Sequence, residues 1–202
     1  SDAQNVDRLI SALDHLVAAI AAFGGMAAEN MTRGSGWRFL DMGRRLERGI
    51  YGATVLKNVL TTQGAELEIA LSLALELFDS TITYRSRYLS AVQTASVVDL
   101  TLDDDSNPRG VMFQLRALAD HLDALAASLD ATAARQELAL VEQARATLRE
   151  VSGHGVDELP VSDLVDRLET IRQRLMLLSD AITRAYFSQV QIPHTIGYEG
   201  AP

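Results

Sequence analysis

VMFQLRALADHLDALAASL, residues 111–129, carries apolar side chains at Val111, Leu115, Leu118, Leu122, Leu125 and Leu129. The steps alternate between four and three, which lines all six along one side of a helix with 3.6 residues per turn. Leu168, Ile171, Leu175, Leu178 and Ile182 repeat the pattern, and Ala134, Leu138, Val141 and Leu148 give a weaker version. Only four prolines interrupt the chain, at 108, 160, 193 and 202, and the stretches between them are rich in helix-forming Ala, Leu, Glu and Arg. The pattern predicts an all-α protein of six helices, over about 3–22, 36–60, 65–90, 107–130, 133–152 and 160–188. Short links between long helices predict an up-and-down bundle. Asn107-Pro108 is expected to cap the fourth helix, with Pro at its first position. Residues 92–106 are expected to form a connection, Gly153, Gly155 and Pro160 to mark a break, and 189–202 to form an extended tail.

At 202 residues with 48% hydrophobic side chains, the chain reads as a single globular domain. The absence of cysteine removes disulfides, thiolate nucleophiles and cysteine metal sites. A net charge of -9 argues against a dedicated nucleic-acid binder. No uninterrupted apolar run reaches 18 residues, so no membrane span is expected. Ser-Asp-Ala-Gln-Asn-Val does not resemble a signal peptide, and a cytoplasmic location is expected. The first residue is not Met, so the chain reads as a processed or excised piece of a longer or fused protein.

The third predicted helix is apolar on two sides. Leu67, Leu71, Leu75, Phe78 and Ile82 form one stripe, and Ile69, Leu73 and Leu77 another. Such a helix belongs at the centre of a bundle or at an interface, including one between two copies of the chain.

Residues 33–57 are basic in an acidic protein: Arg33, Arg38, Arg44, Arg45, Arg48 and Lys57 stand against Asp41 and Glu47. On a helical wheel Phe39, Met42, Gly43, Leu46, Ile50 and Ala53 share a core arc. Trp37, Leu40, Arg44, Glu47, Arg48, Tyr51 and Val55 share a second arc, and Arg38 and Arg45 point to solvent. Ions interleaved with large apolar groups are expected to be partly desolvated and therefore paired. Glu47 can reach Arg44, and Asp41 can reach Arg44 and Arg45. Three readings stay open: a buried ion network that locks the helices, a surface for an anionic group suited to the planar arginine fork, and a solvated face without a role. Glu47 between arginines is expected to orient rather than carry protons.

Tyr84, Arg85, Arg87 and Tyr88 close the third predicted helix. Arg85 continues its stripe to the edge of the core, and Arg85 or Arg87 could join Arg44 and Arg48 around one anion. Arg109 sits where a helix dipole disfavours a cation, offset by Asp103, Asp104 and Asp105. Those aspartates suggest a hard cation, but adjacent side chains diverge and the spacing of an EF-hand is missing. His15, His121, His154 and His194 are scattered and read as surface or capping residues. No metal, cofactor or catalytic residue is expected. The candidate binding set is Trp37, Arg44, Glu47, Arg48, Tyr84, Arg85, Arg87 and Arg109.

The segment Gly36-Trp37-Arg38-Phe39-Leu40-Asp41-Met42-Gly43-Arg44-Arg45-Leu46-Glu47-Arg48 resembles the alpha-E family, bacterial all-helical domains named for a Glu-Arg pair in such a helix. Tyr84-Arg85-Ser86-Arg87-Tyr88, then Leu100-Thr101-Leu102-Asp103, then Pro108-Arg109 are similar to the family's Tyr/Arg-rich helix and the loop that follows it. The likeness covers roughly 30–190. It departs at Gly110, where Ser is expected, and at Asn107, where an aromatic is expected. One Glu-Arg pair is evident where the family usually has two, and its spacing resembles the second copy. The resemblance implies a non-catalytic accessory domain of a peptide synthesis or modification system, working with a circularly permuted ATP-grasp ligase. Transglutaminase-like proteins and proteasome-like peptidases are further implied neighbours. The alternatives are a peptidyl- or acyl-transferring enzyme using the Arg, Glu and Tyr cluster, and a structural dimerisation module.

Overall fold

A computed structural model describes residues 2–89, 91–128, 131–152 and 160–187. Among them lie eight α-helices: α1 Asp2–Asn30, α2 Ser35–Leu60, α3 Glu66–Leu77, α4 Thr81–Tyr88, α5 Thr94–Val98, α6 Val111–Ser128, α7 Ala131–Ser152 and α8 Val161–Ile182. Two π-helical turns, Asp99–Asp103 and Thr183–Phe187, follow α5 and α8. No strand occurs among the described residues, and the all-α class holds. The predicted tail at 189–202, Gly153, Gly155, His154 and His194 fall outside the described residues.

Four boundaries differ from expectation, the first being α1, which runs to Asn30 instead of ending near residue 22. The predicted helix over 65–90 is two helices, because Asp79 adopts a left-handed backbone with φ 48°. The Ser80 amide then donates to the Leu75 carbonyl, and α3 ends there. Asp tolerates this region better than most residues, so no glycine advertises the break. The expected connection over 92–106 holds α5 and a π turn, because Val97, Val98, Leu100 and Leu102 bury their side chains. Asn107 does not cap α6, which starts at Val111. Its side-chain oxygen instead accepts from the Arg109 amide at 3.1 Å, holding a turn in front of the helix.

The chain divides into two compact units, Ser1–Asp41 and Met42–Pro202. The first unit has almost no core: among residues 4–40 only Ala27 is buried. Val6, Leu9, Ile10, Leu13, Leu16, Val17, Ile20, Phe23 and Met26 are 51–65% exposed. Val6, Leu13 and Ile20 recur every seventh residue, as do Leu9, Leu16 and Phe23, so α1 carries a continuous apolar stripe. Gln4–Asn30 is long and apolar enough to cross a membrane by length and composition. Isolated polar residues such as Asp14 and His15 break the apolar run without lowering its average far.

The second unit holds the core. Leu115, Leu118, Leu122 and Leu125 of α6 are fully buried, with Val141 and Ala144 of α7 and Leu164, Leu168, Ile171, Leu175 and Leu178 of α8. Apart from Ala144 and Leu164, which the sequence stripes left out, these are periodic positions read from the sequence; Leu138 of the weaker stripe is only half-buried. Val59, Leu71, Ala74, Leu75, Tyr84, Val97 and Leu100 pack together under α3, α4 and α5. Ile82 does not continue the Leu71–Leu75–Phe78 stripe and is 85% exposed, since the helix breaks before it. Ile69, Leu73 and Leu77 of the second stripe are exposed as well.

Within this unit α2 turns Met42, Leu46, Gly49, Gly52, Ala53 and Leu56 inward. This arc is rotated from the expected one: Gly43 is exposed and Ile50 half-buried. Two glycines cause the rotation. A Cβ on Gly49 would stand 2.8 Å from Leu175 Cδ1 of α8, and one on Gly52 would stand 3.1 Å from Val111 Cγ2 of α6 and 3.2 Å from the Phe78 ring. Other helices approach α2 where it has no side chain. Lys57 adds an ion pair to Glu169 of α8 at 2.9 Å. Arg172, Lys57 and Gln173 together hold the Glu169 carboxyl well below the usual carboxylate range.

Candidate functional site

Rotation of α2 decides where its charges go. Glu47 and Arg48 are both exposed, and Arg44 is half-buried. Of the three open readings, the exposure of Glu47 and Arg48 speaks against the buried ion network: these ions keep much of their water. Arg45, expected in solvent, is half-buried. Its guanidinium donates to Gln114 Oε1 at 3.3 Å and lies 5.2 Å from the Phe113 ring centre. The fully buried Gln114 amide in turn donates to the Pro108 and Gly110 carbonyls at 2.9 and 3.0 Å.

Two hollows flank the outer face of α2. The larger, about 440 Å³, is lined by Gly43, Leu46, Glu47, Ile50, Tyr51, Thr54 and Ser179. Glu47 is its only charged residue and has no hydrogen-bond or ion-pair partner among the described residues. The smaller, about 90 Å³, is lined by Arg48, Tyr51, Gly52, Leu77, Phe78 and Arg109. Tyr51 walls both and is 49% exposed. The fold thus brings Arg48 and Arg109, far apart in sequence, into one crevice. Arg109 also contacts Asp79 at 3.3 Å. That aspartate is 78% exposed, and exposed pairs contribute only about 0–1 kcal/mol.

The remaining candidates are elsewhere. Trp37 belongs to the first unit, where the Arg33 guanidinium stacks on it 4.4 Å from the ring centre. Arg85, expected at the edge of the core, is exposed and lines neither hollow. Tyr84 is buried. Its hydroxyl donates to the Ala91 carbonyl and accepts from the Gln93 amide, both at 3.1 Å. Arg87 pairs with Asp104 at 2.6 Å rather than joining Arg44 and Arg48. Burial pushes the Asp104 carboxyl up, but hydrogen bonds from Ser106 and Arg87 outweigh it and hold the group below its ordinary value. Tyr88 donates to Asp99; burial first, then that carboxylate, push the phenol up to about 12. Asp105 pairs with Arg116 at 3.0 Å.

The Tyr/Arg-rich helix and the acidic loop therefore clamp one another. Asn107 ties the clamp to the core: its amide donates to Ser80 Oγ at 3.1 Å and to the Leu100 carbonyl at 2.8 Å. Gly110 lies among carbonyl oxygens of Asp104, Asn107 and Thr101, each 3.1–3.4 Å from where a Cβ would stand. His121 is buried rather than at the surface, while His15 is exposed and contacts the Ser11 carbonyl through Nδ1 at 2.7 Å. No group of three or more His, Asp or Glu among the described residues is placed to hold a metal ion.

The sequence reading missed Tyr51 as a site residue, although it lay on the same arc as Glu47 and Arg48. It missed Gly49 and Gly52, whose spacing of one helical turn was the available signal.

Three curated relatives are 32% identical to the chain over 112 residues: uncharacterized proteins from two strains of Mycobacterium tuberculosis and from Mycobacterium bovis. The matched stretch is 54% of this chain and 13% of each relative, so the chain spans a small part of their length. No solved structure matches. The family model described as a predicted alpha-helical domain with a conserved ER motif matches residues 2–187. With Glu47-Arg48 standing as that motif on the outer face of α2, the chain belongs to the Alpha-E family.

Proposed function

We propose that the chain is the helical accessory domain of a bacterial peptide synthesis or modification system, acting in the cytoplasm beside an ATP-grasp-type ligase. In this reading it recognises an anionic group of the peptide and leaves bond formation to the ligase. One observation supports it: Arg48 and Arg109 line one crevice together with Tyr51, and paired arginine forks suit a carboxylate.

Arg48→Ala tests it. Because Arg48 is exposed, the substitution should change stability by no more than about 0.5 kcal/mol and the melting midpoint by no more than about 2 °C. The same variant should bind a free tripeptide, tri-alanine, at least about tenfold more weakly by NMR titration, since charged hydrogen bonds contribute about 1.5–3 kcal/mol. Equal binding by wild type, Arg48→Ala and Arg109→Ala would remove the anion site. Failure of the wild-type chain to associate with a purified ATP-grasp ligase from the same system would remove the partnership.

A second reading, a dimerisation module, is favoured by the exposed stripe of α1. Nine large side chains, each about half exposed, offer on the order of 900 Å² per copy, and a standard interface uses about 800 Å² per partner. A second copy of α1 would cover it through the seven-residue repeat. Sedimentation should then show a dimer at about 100 µM that becomes monomeric on Leu13→Glu with Leu16→Glu. A monomer at that concentration would sink this reading.

A further inference from the structure

The anion crevice has a neighbour that complements it. Glu47 is the single charge in a depression lined otherwise mostly by apolar side chains, and it has no hydrogen-bond or ion-pair partner among the described residues. Arg48 faces the crevice on the opposite side of Tyr51. Consecutive helical residues point about 100° apart, and side-chain tips ride on a cylinder about 10–12 Å across. That geometry separates the Glu47 and Arg48 charges by roughly 8 Å.

We infer that the Glu-Arg pair is a two-pole site for a short zwitterionic peptide. The peptide's ammonium group is taken by Glu47, its carboxylate by Arg48 and Arg109, and its backbone is laid across the Tyr51 ring. This rests on the anion-site reading above and adds the substrate class. The spacing sets the length. Extended peptide spans about 3.3–3.6 Å per residue, so two or three residues reach across the gap. A free amino acid carries both charges on one carbon and is too short. Exchanging the two residues would present a carboxylate to Arg109 and a cation to the apolar depression, and should abolish the site.

The test uses the 202-residue chain and four probes: tri-alanine, N-acetyl-tri-alanine, tri-alanine amide and free alanine, each titrated by NMR up to 10 mM. The expected result is that acetylation weakens binding at least about fivefold in wild type and less than about twofold in Glu47→Gln. Amidation should weaken binding in wild type and have little effect in Arg48→Ala. Free alanine should bind at least about tenfold more weakly than tri-alanine. Glu47 is exposed and its amide is isosteric, so circular dichroism and melting of Glu47→Gln should match wild type. If acetylation changes nothing while amidation weakens binding, the amine pole is wrong and the anion site survives. If neither modification matters, or no probe binds, both are overturned.

Discussion

Replacing Asn107 with alanine should lower the melting midpoint by about 6–12 °C, the largest drop expected from any substitution in the clamp. Asn107 is 8% exposed and makes three hydrogen bonds that no neighbour can replace. Its amide donates to the Leu100 carbonyl within the π turn and to the buried Ser80 hydroxyl just before α4; its oxygen accepts from the Arg109 amide. Removing the side chain leaves the Leu100 carbonyl without this donor, at about 1–3 kcal/mol for an unsatisfied buried group, and opens a void beside the Ser80 hydroxyl, which keeps only its bond to the Phe78 carbonyl at 2.9 Å. A total near 3 kcal/mol, at about 2–4 °C per kcal/mol for a chain of this size, gives the stated fall. Asn107→Asp distinguishes lost bonds from lost volume. It keeps the size and the acceptor for Arg109, yet sets a carboxylate oxygen against the Leu100 carbonyl, so it should melt as low as the alanine variant or lower. Arg109→Ala, one turn away but exposed, should move the midpoint by less than about 2 °C. A melt of Asn107→Ala within 2 °C of wild type would mean the loop carries its own stability.

That loop also marks where sequence stops being legible. The periodic leucines of α6 and α8 were readable because burial repeats with the helix, and Leu115, Leu122, Leu168 and Leu175 lie where the pattern put them. The break at Asp79 was not, because a left-handed Asp carries no signal that distinguishes it from a helical one. The segment before Pro108 looked like a connection by composition. Its four buried apolar residues became visible only once α5 and the π turn folded them inward, Val97 and Leu100 against Leu71 and Leu75 of α3. For the site, the Glu-Arg pair was legible as a motif, but its exposure was not. A wheel drawn at 100° per residue places side chains by size and charge. It cannot see that Gly49 and Gly52 are the residues another helix touches. Turning α2 toward its glycines moved Glu47 and Arg48 outward, and of the readings left open it favours a surface over an internal lock. Arg109 joined Arg48 through a tertiary approach that no spacing in the sequence encodes.

The other large effect follows from the same approach. Gly52→Val should lower the melting midpoint by about 6–12 °C, while Gly52→Ala should shift it by no more than about 4 °C. A Cβ at this position would stand 3.1 Å from Val111 and 3.2 Å from two atoms of the Phe78 ring. Alanine asks those neighbours for a few tenths of an ångström and returns up to about 1 kcal/mol of helix propensity relative to glycine. Valine adds two methyl groups directed into Phe78 and Val111, which are themselves 4% and 0% exposed and have no free space to retreat into. Overpacking of this kind costs about 1–3 kcal/mol, and with both neighbours fully packed the upper end, about 3 kcal/mol, gives the stated fall. Gly52 also lines the arginine crevice, so the two variants separate packing from recognition. Displacing Phe78 moves a wall that Arg48 and Arg109 share, and Gly52→Val should lose tri-alanine binding at temperatures well below its melt. Gly52→Ala should retain it. If valine melts with wild type, α2 sits further from α6 than these contacts require, and the orientation of Glu47 and Arg48 must be set by something other than the glycine face.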